Sequence, residues 1–115
     1  MELPARLKAV ADLVAKENDR LKSTDLASFF PYDPHALAKA VMKALPHLEE
    51  GGASLDLGAG TGGWWLLIAA AGVPSYAIEI HPELVEVCER LRHACVQRKL
   101  IDPETPCVIA IDRKR

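Results

Sequence analysis

The sequence predicts a single α/β domain built around a small parallel sheet. Three observations predict this fold: strand-like and helix-like segments alternate after residue 53, the first strand runs into a glycine-rich turn, and 50% of the 115 residues are hydrophobic. Strands that alternate with helices form parallel sheets with crossover helices. A chain of this length holds one modest core. We therefore assign residues 1–52 to an N-terminal helical segment and residues 53–115 to a βαβαβ unit, both within one compact domain.

Two helices are predicted in the N-terminal segment. The first spans residues 4–22, because its apolar side chains recur at helical spacing, namely Leu3, Leu7, Val10, Leu13, Val14 and Leu21. After a connector over residues 23–32, Asp33 is a typical N-cap and Pro34 a typical first helical residue. Residues 46–52 contain a proline and two adjacent glycines, which end the second helix.

Three strands and two helices are predicted from residue 53 onward. Residues 53–57 and 75–80 are short segments typical of strands, and the helix between them, residues 64–71, stops at a glycine. Pro82 opens a long helix whose apolar face consists of Leu84, Val87, Cys88, Leu91 and Cys95. Residues 107–111 are predicted to form the last strand.

Charge and hydropathy exclude several classes of protein. The 14 Lys and Arg residues and the 16 Asp and Glu residues give a formal net charge of -2, so no overall field attracts nucleic acid or an anionic membrane. The chain has no run of about 18 apolar residues that would predict a transmembrane helix. The N-terminus also lacks the basic-then-apolar order of a secretory signal. We therefore expect a cytoplasmic protein with no membrane partner.

The cysteines and histidines do not predict a metal site. The three cysteines, Cys88, Cys95 and Cys107, include no Cys-x-x-Cys pair, which argues against a disulfide framework and against zinc. The 4 histidines are scattered along the chain. We expect Cys88 and Cys95 to pack in the core as small hydrophobic residues, and Cys107 to begin a buried strand.

The most informative segment runs from Leu55 to Gly63, with the sequence Leu-Asp-Leu-Gly-Ala-Gly-Thr-Gly-Gly. Its glycines allow a sharp turn from strand to helix and leave room for a ligand against the main chain. The N-terminus of the following helix offers free N–H groups. A glycine-rich turn alone is weak evidence. Here a second strand follows and ends in an acid, Glu79, which favours a binding site over a tight turn without a ligand.

The same segment also matches the dinucleotide pattern Gly-x-Gly-x-x-Gly, through Gly58, Gly60 and Gly63. A dinucleotide would place its pyrophosphate over this turn, beside the carboxylate of Asp56, and the two anions would repel each other. A ligand with a cationic ammonium and sulfonium would be attracted instead. A fragment of an NAD(P)-binding oxidoreductase is therefore the less favoured alternative.

Asp-x-Gly-x-Gly-x-Gly after a strand, followed by an acid at the end of the second strand, resembles the class I S-adenosylmethionine-dependent methyltransferases. The resemblance covers residues 53–112. It implies a Rossmann-like sheet with strand order 3-2-1 and S-adenosyl-L-methionine as the cofactor. It also implies that the methionine part, with its amino end at the aspartate, is bound by Asp56, Gly58, Ala59, Gly60 and Gly62.

The same resemblance implies three further contacts. Glu79 matches the acid that holds the ribose hydroxyls, and a carboxylate can accept hydrogen bonds from two adjacent hydroxyls. Ile80 would pack on the adenine face, and Asp112 would lie near the adenine amino group. Outside the motif, His81 would either contact the cofactor or cap the next helix. Tyr32 would either close over the cofactor or pack within the connector.

The sequence departs from the family because the second half of the family's sheet has no counterpart. A full methyltransferase sheet has more strands than are found here, and the strand that normally faces the methyl acceptor is missing. No Asn-Pro-Pro-Tyr-like motif of amino-group methylation is present, and no residue can be named as catalytic. We expect a methyltransferase, or the cofactor-binding part of one, with an unidentified acceptor; the 115-residue chain alone is expected to be inactive. The alternative is a non-catalytic module that binds S-adenosylmethionine or a nucleotide.

The first strand is expected to form an open edge of the sheet. In the family's strand order this strand is central, so here residues 53–57 would lack a neighbour on one side. The unpaired backbone groups of such an edge are a template for another strand. The segment contains no Pro or Lys to protect it, and Asp56 is its only charged residue. The sequence therefore predicts that the 115-residue chain either self-associates into a homo-oligomer through this edge or is unstable.

Overall fold

The computed structural model describes residues 1–29, 32–48 and 50–111. This part of the chain contains, in order, α1 (Leu3–Leu21), a 3₁₀ turn (Asp25–Phe29), α2 (Pro34–Ala44), a second 3₁₀ turn (Leu45–His47), β1 (Ser54–Leu57), α3 (Gly63–Ala70), β2 (Ser75–Glu79), α4 (Pro82–Gln97) and β3 (Ile109–Ala110). The predicted α/β class with a three-stranded parallel sheet is confirmed. None of the described helices is both long and apolar enough to span a membrane.

The three described strands form one parallel sheet with β2 in the middle. β1 pairs with β2 from Ser54 opposite Ser75, and β2 pairs with β3 from Ile78 opposite Ile109. Both crossovers step in the same direction along the sheet. Right-handed connections therefore put α3 and α4 on the same face.

Helix α3 is the centre of the core. It packs against β1 and β2 on one side and against α1 and α2 on the other, which explains why it is apolar around its whole circumference. Trp65, Leu66 and Leu67 are buried. The hydroxyl of Ser75, at the start of β2, donates to the backbone carbonyl of Trp65 at 3.0 Å and ties the strand to this helix.

Helices α1 and α2 form a second helical layer over α3. Asp33 caps α2 as predicted, since its carboxylate accepts from the backbone N–H of His35 at 3.1 Å. The His35 ring joins the two N-terminal helices, because its Nε2 lies 2.7 Å from Oδ1 of Asp12. An ion pair between Glu17 and Arg90 joins α1 to α4. The N-terminal segment is therefore connected to the rest of the chain by polar as well as apolar contacts.

The third strand is shorter than the predicted residues 107–111. Within the described residues the strand is Ile109–Ala110, which pairs with β2, and the backbone N–H of Ile111 also donates to the carbonyl of Glu79 at 3.1 Å. Before the strand, the chain is held against α4, because the backbone N–H of Val108 donates to Oε1 of Glu89 at 2.8 Å. Cys107 is exposed, so the expectation that it begins a buried strand is wrong.

The sheet face opposite α3 and α4 is apolar and exposed. Leu55 and Leu57 of β1, Tyr76 of β2 and Ile109 of β3 are exposed on it, and Leu57 has 72% of its surface accessible. Parallel sheets are normally covered on both faces. Within the described residues, β1 also has a strand on only one side. Strand β1 is therefore unprotected both at its edge and on its exposed face.

We expect the 115-residue chain to self-associate through β1. An unpaired strand and an exposed leucine are both present there, and burying a leucine side chain contributes about 1.5–3 kcal/mol. Size-exclusion chromatography with light scattering should give a mass that rises above the monomer mass with concentration. Leu57→Lys should shift the population toward monomer. Leu48→Lys changes an exposed leucine outside the sheet and should not. A monomer at every concentration would contradict this prediction.

Candidate functional site

The loop between β1 and α3 turns at three glycines. Gly58, Gly60 and Gly62 have φ angles of 76°, 60° and 85°, a left-handed conformation that glycine adopts readily and other residues rarely. The turn leads from the end of β1 to the N-terminus of α3 at Gly63. Glycine is therefore required by the backbone itself, before any ligand is considered.

Four backbone N–H groups of this loop point into the protein. Those of Gly58 and Ala59 donate to one carbonyl of β2, at 2.9 and 3.0 Å, and that of Gly62 donates to the carbonyl of Ala59 at 2.9 Å. The N–H of Gly60 donates to Oε1 of Glu79 at 2.8 Å. These donors are engaged by the fold and are not free to bind an anionic ligand.

Glu79 lies behind the loop at the end of β2, with only 3% of its surface exposed. Its Oε1 accepts from Gly60, and its Oε2 accepts from the backbone N–H groups of Ile80 and His81 at 2.9 and 3.1 Å. The Nδ1 of the His81 ring lies 2.8 Å from the same oxygen and donates to it. Burial raises the pKa of Glu79, but the hydrogen bonds from His81, Gly60 and Ile80 outweigh burial and lower this pKa below its ordinary value. The carboxylate is therefore ionised at neutral pH.

A cavity of about 370 Å³ opens between the glycine loop and the N-terminal helices. Four of the predicted binding residues lie in its wall, namely Asp56, Gly58, Ala59 and Gly60. The other lining residues come mainly from α1, α2 and the start of α3, and are Val14, Asn18, Tyr32, Pro34, Leu37, Thr61, Gly63 and Trp64. Ligand pockets commonly measure about 300–1,000 Å³, so the cavity can hold a small organic molecule or part of a larger one.

Asp56 determines the charge of this cavity. Burial raises the pKa of its carboxyl group, the nearby charge of Glu79 raises it further, and a hydrogen bond with the Trp65 backbone opposes both. Among the described residues that line the cavity, none is Lys, Arg or His. A cationic group in the cavity would favour the ionised carboxylate, whereas an anionic group would be repelled by it.

Four of the predicted binding residues lie away from the cavity wall or outside the described residues, and one of them is Glu79, which lies behind the loop and does not line the cavity. A Cβ atom at Gly62 would lie 3.3 Å from Sγ of Cys88 and 3.3 Å from the ring of Trp65, so this glycine allows α4 to approach the loop. Ile80 follows β2 and is partly exposed, but it does not line the cavity. Asp112 lies outside the described residues.

Cys88 supports the glycine loop from α4. Its Sγ lies 3.2 Å from the carbonyl oxygen of Gly60, to which the thiol donates. Burial raises the pKa of this thiol to about 12, so the donor keeps its proton at neutral pH. The expectation that Cys88 and Cys95 are buried is confirmed.

Two N-terminal helices supply cavity residues that the sequence-based site did not include. Helix α1 contributes Val14 and Asn18, and α2 contributes Pro34 and Leu37. The signal that could have found this wall is Asn18, because it is a polar residue at a buried position of an otherwise apolar helix face. Tyr32, for which two roles were considered, lies in the same wall.

Comparisons with protein-family models, with curated proteins and with solved structures gave no match. Within the described part of the chain, no group of three or more His, Cys, Asp and Glu residues is arranged to hold a metal ion. The function must therefore be inferred from the chemistry of the cavity.

We expect Glu79→Gln to lower the free energy of unfolding at neutral pH by about 1.5–3 kcal/mol, because an amide replaces a buried carboxylate that accepts several hydrogen bonds. The folded-state pKa of Glu79 is below its ordinary value of 4.5. The stability that it contributes is therefore present above pH 4.5 and is lost as pH falls through the folded-state pKa.

Urea unfolding of the wild type and the variant between pH 7 and pH 3 measures both effects. The difference between the two proteins should shrink toward the acid end. Glu86→Gln changes an exposed glutamate of α4 and serves as the control. Equal unfolding midpoints at pH 7 would show that the Glu79 carboxylate does not hold the loop.

Proposed function

We propose that this chain binds S-adenosyl-L-methionine as the cofactor-binding part of a class I S-adenosylmethionine-dependent methyltransferase, which transfers a methyl group to an unidentified acceptor. The observation that carries the proposal is an acidic cavity beside a glycine loop. Asp56 lies in its wall, none of the described residues in that wall is basic, and four N–H groups of the loop already donate to protein acceptors. The position of β2 between β1 and β3 supports a Rossmann-like sheet with order 3-2-1.

The residues of the cavity fit the methionine part of this cofactor. When bound, S-adenosylmethionine supplies a methyl group on a positively charged sulfur. Asp56 would accept a hydrogen bond from the ammonium and attract the sulfonium charge. The space that a Cβ atom would occupy at Gly58 is open, so a ligand can lie against the backbone there. Tyr32 and Trp64 offer ring surfaces in the same wall.

The ribose contact at Glu79 stays a prediction, and it requires a change in the hydrogen bonds of this carboxylate. Both carboxylate oxygens already accept hydrogen bonds from the loop and from the turn into α4. To hold ribose hydroxyls, Glu79 would exchange one of its bonds with Ile80 or His81 for a bond with the ligand. The adenine contact at Ile80 stays a prediction as well.

The main alternative within the same ligand class is a non-catalytic module that binds S-adenosylmethionine. It is favoured by the absence, within the described residues, of a strand beyond β1 that could face an acceptor. We assign no general base and propose that the 115-residue chain alone transfers no methyl group. A radiolabelled methyl assay tests this proposal, because turnover by the chain would show that it contains an acceptor site.

Calorimetry with S-adenosylhomocysteine and NAD⁺ in parallel tests the proposed cofactor. We expect S-adenosylhomocysteine to bind and NAD⁺ not to bind, because the pyrophosphate would meet Asp56 without a basic partner. Asp56→Asn should weaken the binding of S-adenosylhomocysteine about 10- to 100-fold, since a charged hydrogen bond to the ammonium is lost. Asp19→Asn removes an exposed carboxylate of α1 and should not change the affinity. Tighter binding of NAD⁺ would overturn the proposal in favour of an oxidoreductase.

A matched pair of glycine variants separates backbone strain from ligand contact. Gly58 and Gly72 both have positive φ, and a Cβ atom meets nothing within 4 Å at either position. Gly58→Ala and Gly72→Ala should each lower stability by about 1–2 kcal/mol. Of these two glycines, only Gly58 lines the cavity that contains Asp56. Only Gly58→Ala should therefore weaken the binding of S-adenosylhomocysteine. Equal affinities in calorimetry would contradict a ligand lying over this turn.

A further inference from the structure

Asn18 is a polar residue in the apolar face of α1. The other buried residues of that face recur every three or four positions, at Leu7, Val10, Ala11, Val14 and Leu21. Asn18 has only 7% of its surface exposed, and its Oδ1 has no hydrogen-bond partner. A buried amide oxygen without a donor destabilises the folded state, whereas a leucine at the same position would extend the apolar face. Packing alone therefore does not explain an asparagine here.

The same residue belongs to the wall of the glycine-loop cavity, together with Asp56, Thr61 and Trp64. The atom without a partner is an acceptor, so the group that it lacks is a donor. An ammonium group carries several N–H donors on one nitrogen and can bind a carboxylate and an amide oxygen at once. Because Asn18 lines the cavity, its carboxamide belongs to the wall that a bound ammonium group would contact.

We propose that Asn18 is a ligand-binding residue of this cavity and that its Oδ1 accepts a hydrogen bond from the α-ammonium group that Asp56 also binds. This inference rests on the proposed function and extends it to the N-terminal segment. It assigns recognition of the amino-acid end of the ligand to two elements, the end of β1 and the last turns of α1 around Asn18. Ligands that lack the amino-acid group gain no affinity from Asn18.

Two ligands and two variants test this role. S-adenosylhomocysteine carries the amino-acid group, and 5′-methylthioadenosine has the same nucleoside and thioether without it. Asn18→Leu should weaken the binding of S-adenosylhomocysteine about tenfold or more, because one hydrogen bond to a charged group is lost. The affinity for 5′-methylthioadenosine should stay unchanged. Leu7→Met changes a buried residue of the same helix face that does not line the cavity, and it should affect neither ligand.

Stability without ligand is the second readout. Asn18→Leu should unfold at a higher urea concentration than the wild type, because the unpaired buried oxygen is removed. Asn18→Ala provides a smaller replacement if leucine prevents folding, and its preference for S-adenosylhomocysteine over 5′-methylthioadenosine must also fall. Unchanged affinity for S-adenosylhomocysteine in these variants, or an equal loss for both ligands, would overturn the role of Asn18 and leave the proposed function standing. A wild-type chain that binds neither ligand would overturn both.

Discussion

The buried carboxylate of Glu79 holds together the backbone from which the cavity is built. It accepts the N–H of Gly60 from the loop after β1 and the N–H groups of Ile80 and His81 from the turn into α4. A loop that turns through left-handed glycines has no regular hydrogen-bonding ladder, so it needs fixed partners elsewhere. Glu79 supplies one of them, and the thiol of Cys88 supplies another by donating to the carbonyl of Gly60. The position of the loop relative to α4 therefore depends on these two side chains.

Two acids at the ends of neighbouring strands have different electrostatic environments. Glu79 is buried but surrounded by donors, which lower its pKa, whereas burial raises the pKa of Asp56 at the cavity wall. The first carboxylate has its charge compensated by the protein itself. The charge of Asp56 is less compensated by the protein, so this carboxylate is the one available to a cation in the cavity. The two strand ends therefore place side by side a carboxylate that the fold uses for its own hydrogen bonds and a carboxylate that lines the cavity.

Much of the fold follows from local pattern, and the exceptions are tertiary contacts. Helical spacing of apolar residues predicts α1 and α4, and Asp33 followed by Pro34 predicts the start of α2. The exposure of Cys107 and the contact between Val108 and Glu89 could not be predicted in this way, because both depend on how segments that are distant in the sequence pack together.

The residues of the candidate site also differ in whether local sequence pattern or tertiary contacts place them. The positions of Asp56 and Gly58 in the cavity wall could be predicted, because the strand, turn and helix that place them are adjacent in the sequence. Gly62 belongs to the same motif, but its neighbours in space are Cys88 and Trp65, which sequence spacing does not reveal. The wall supplied by α1 could not be located without knowing how that helix packs on α3, although Asn18 interrupts the apolar face visibly.

The apolar circumference of α3 has a consequence for how the chain folds. This helix has buried residues on both sides, so it requires the sheet and the N-terminal helices at the same time. If residues 1–52 were absent or detached, side chains of α3 would face water and the βαβ unit would lose the free energy of their burial. The boundary near residue 52 therefore divides the sequence into two kinds of secondary structure without dividing it into two folding units. We therefore expect the helical layer and the sheet to unfold together in one cooperative transition.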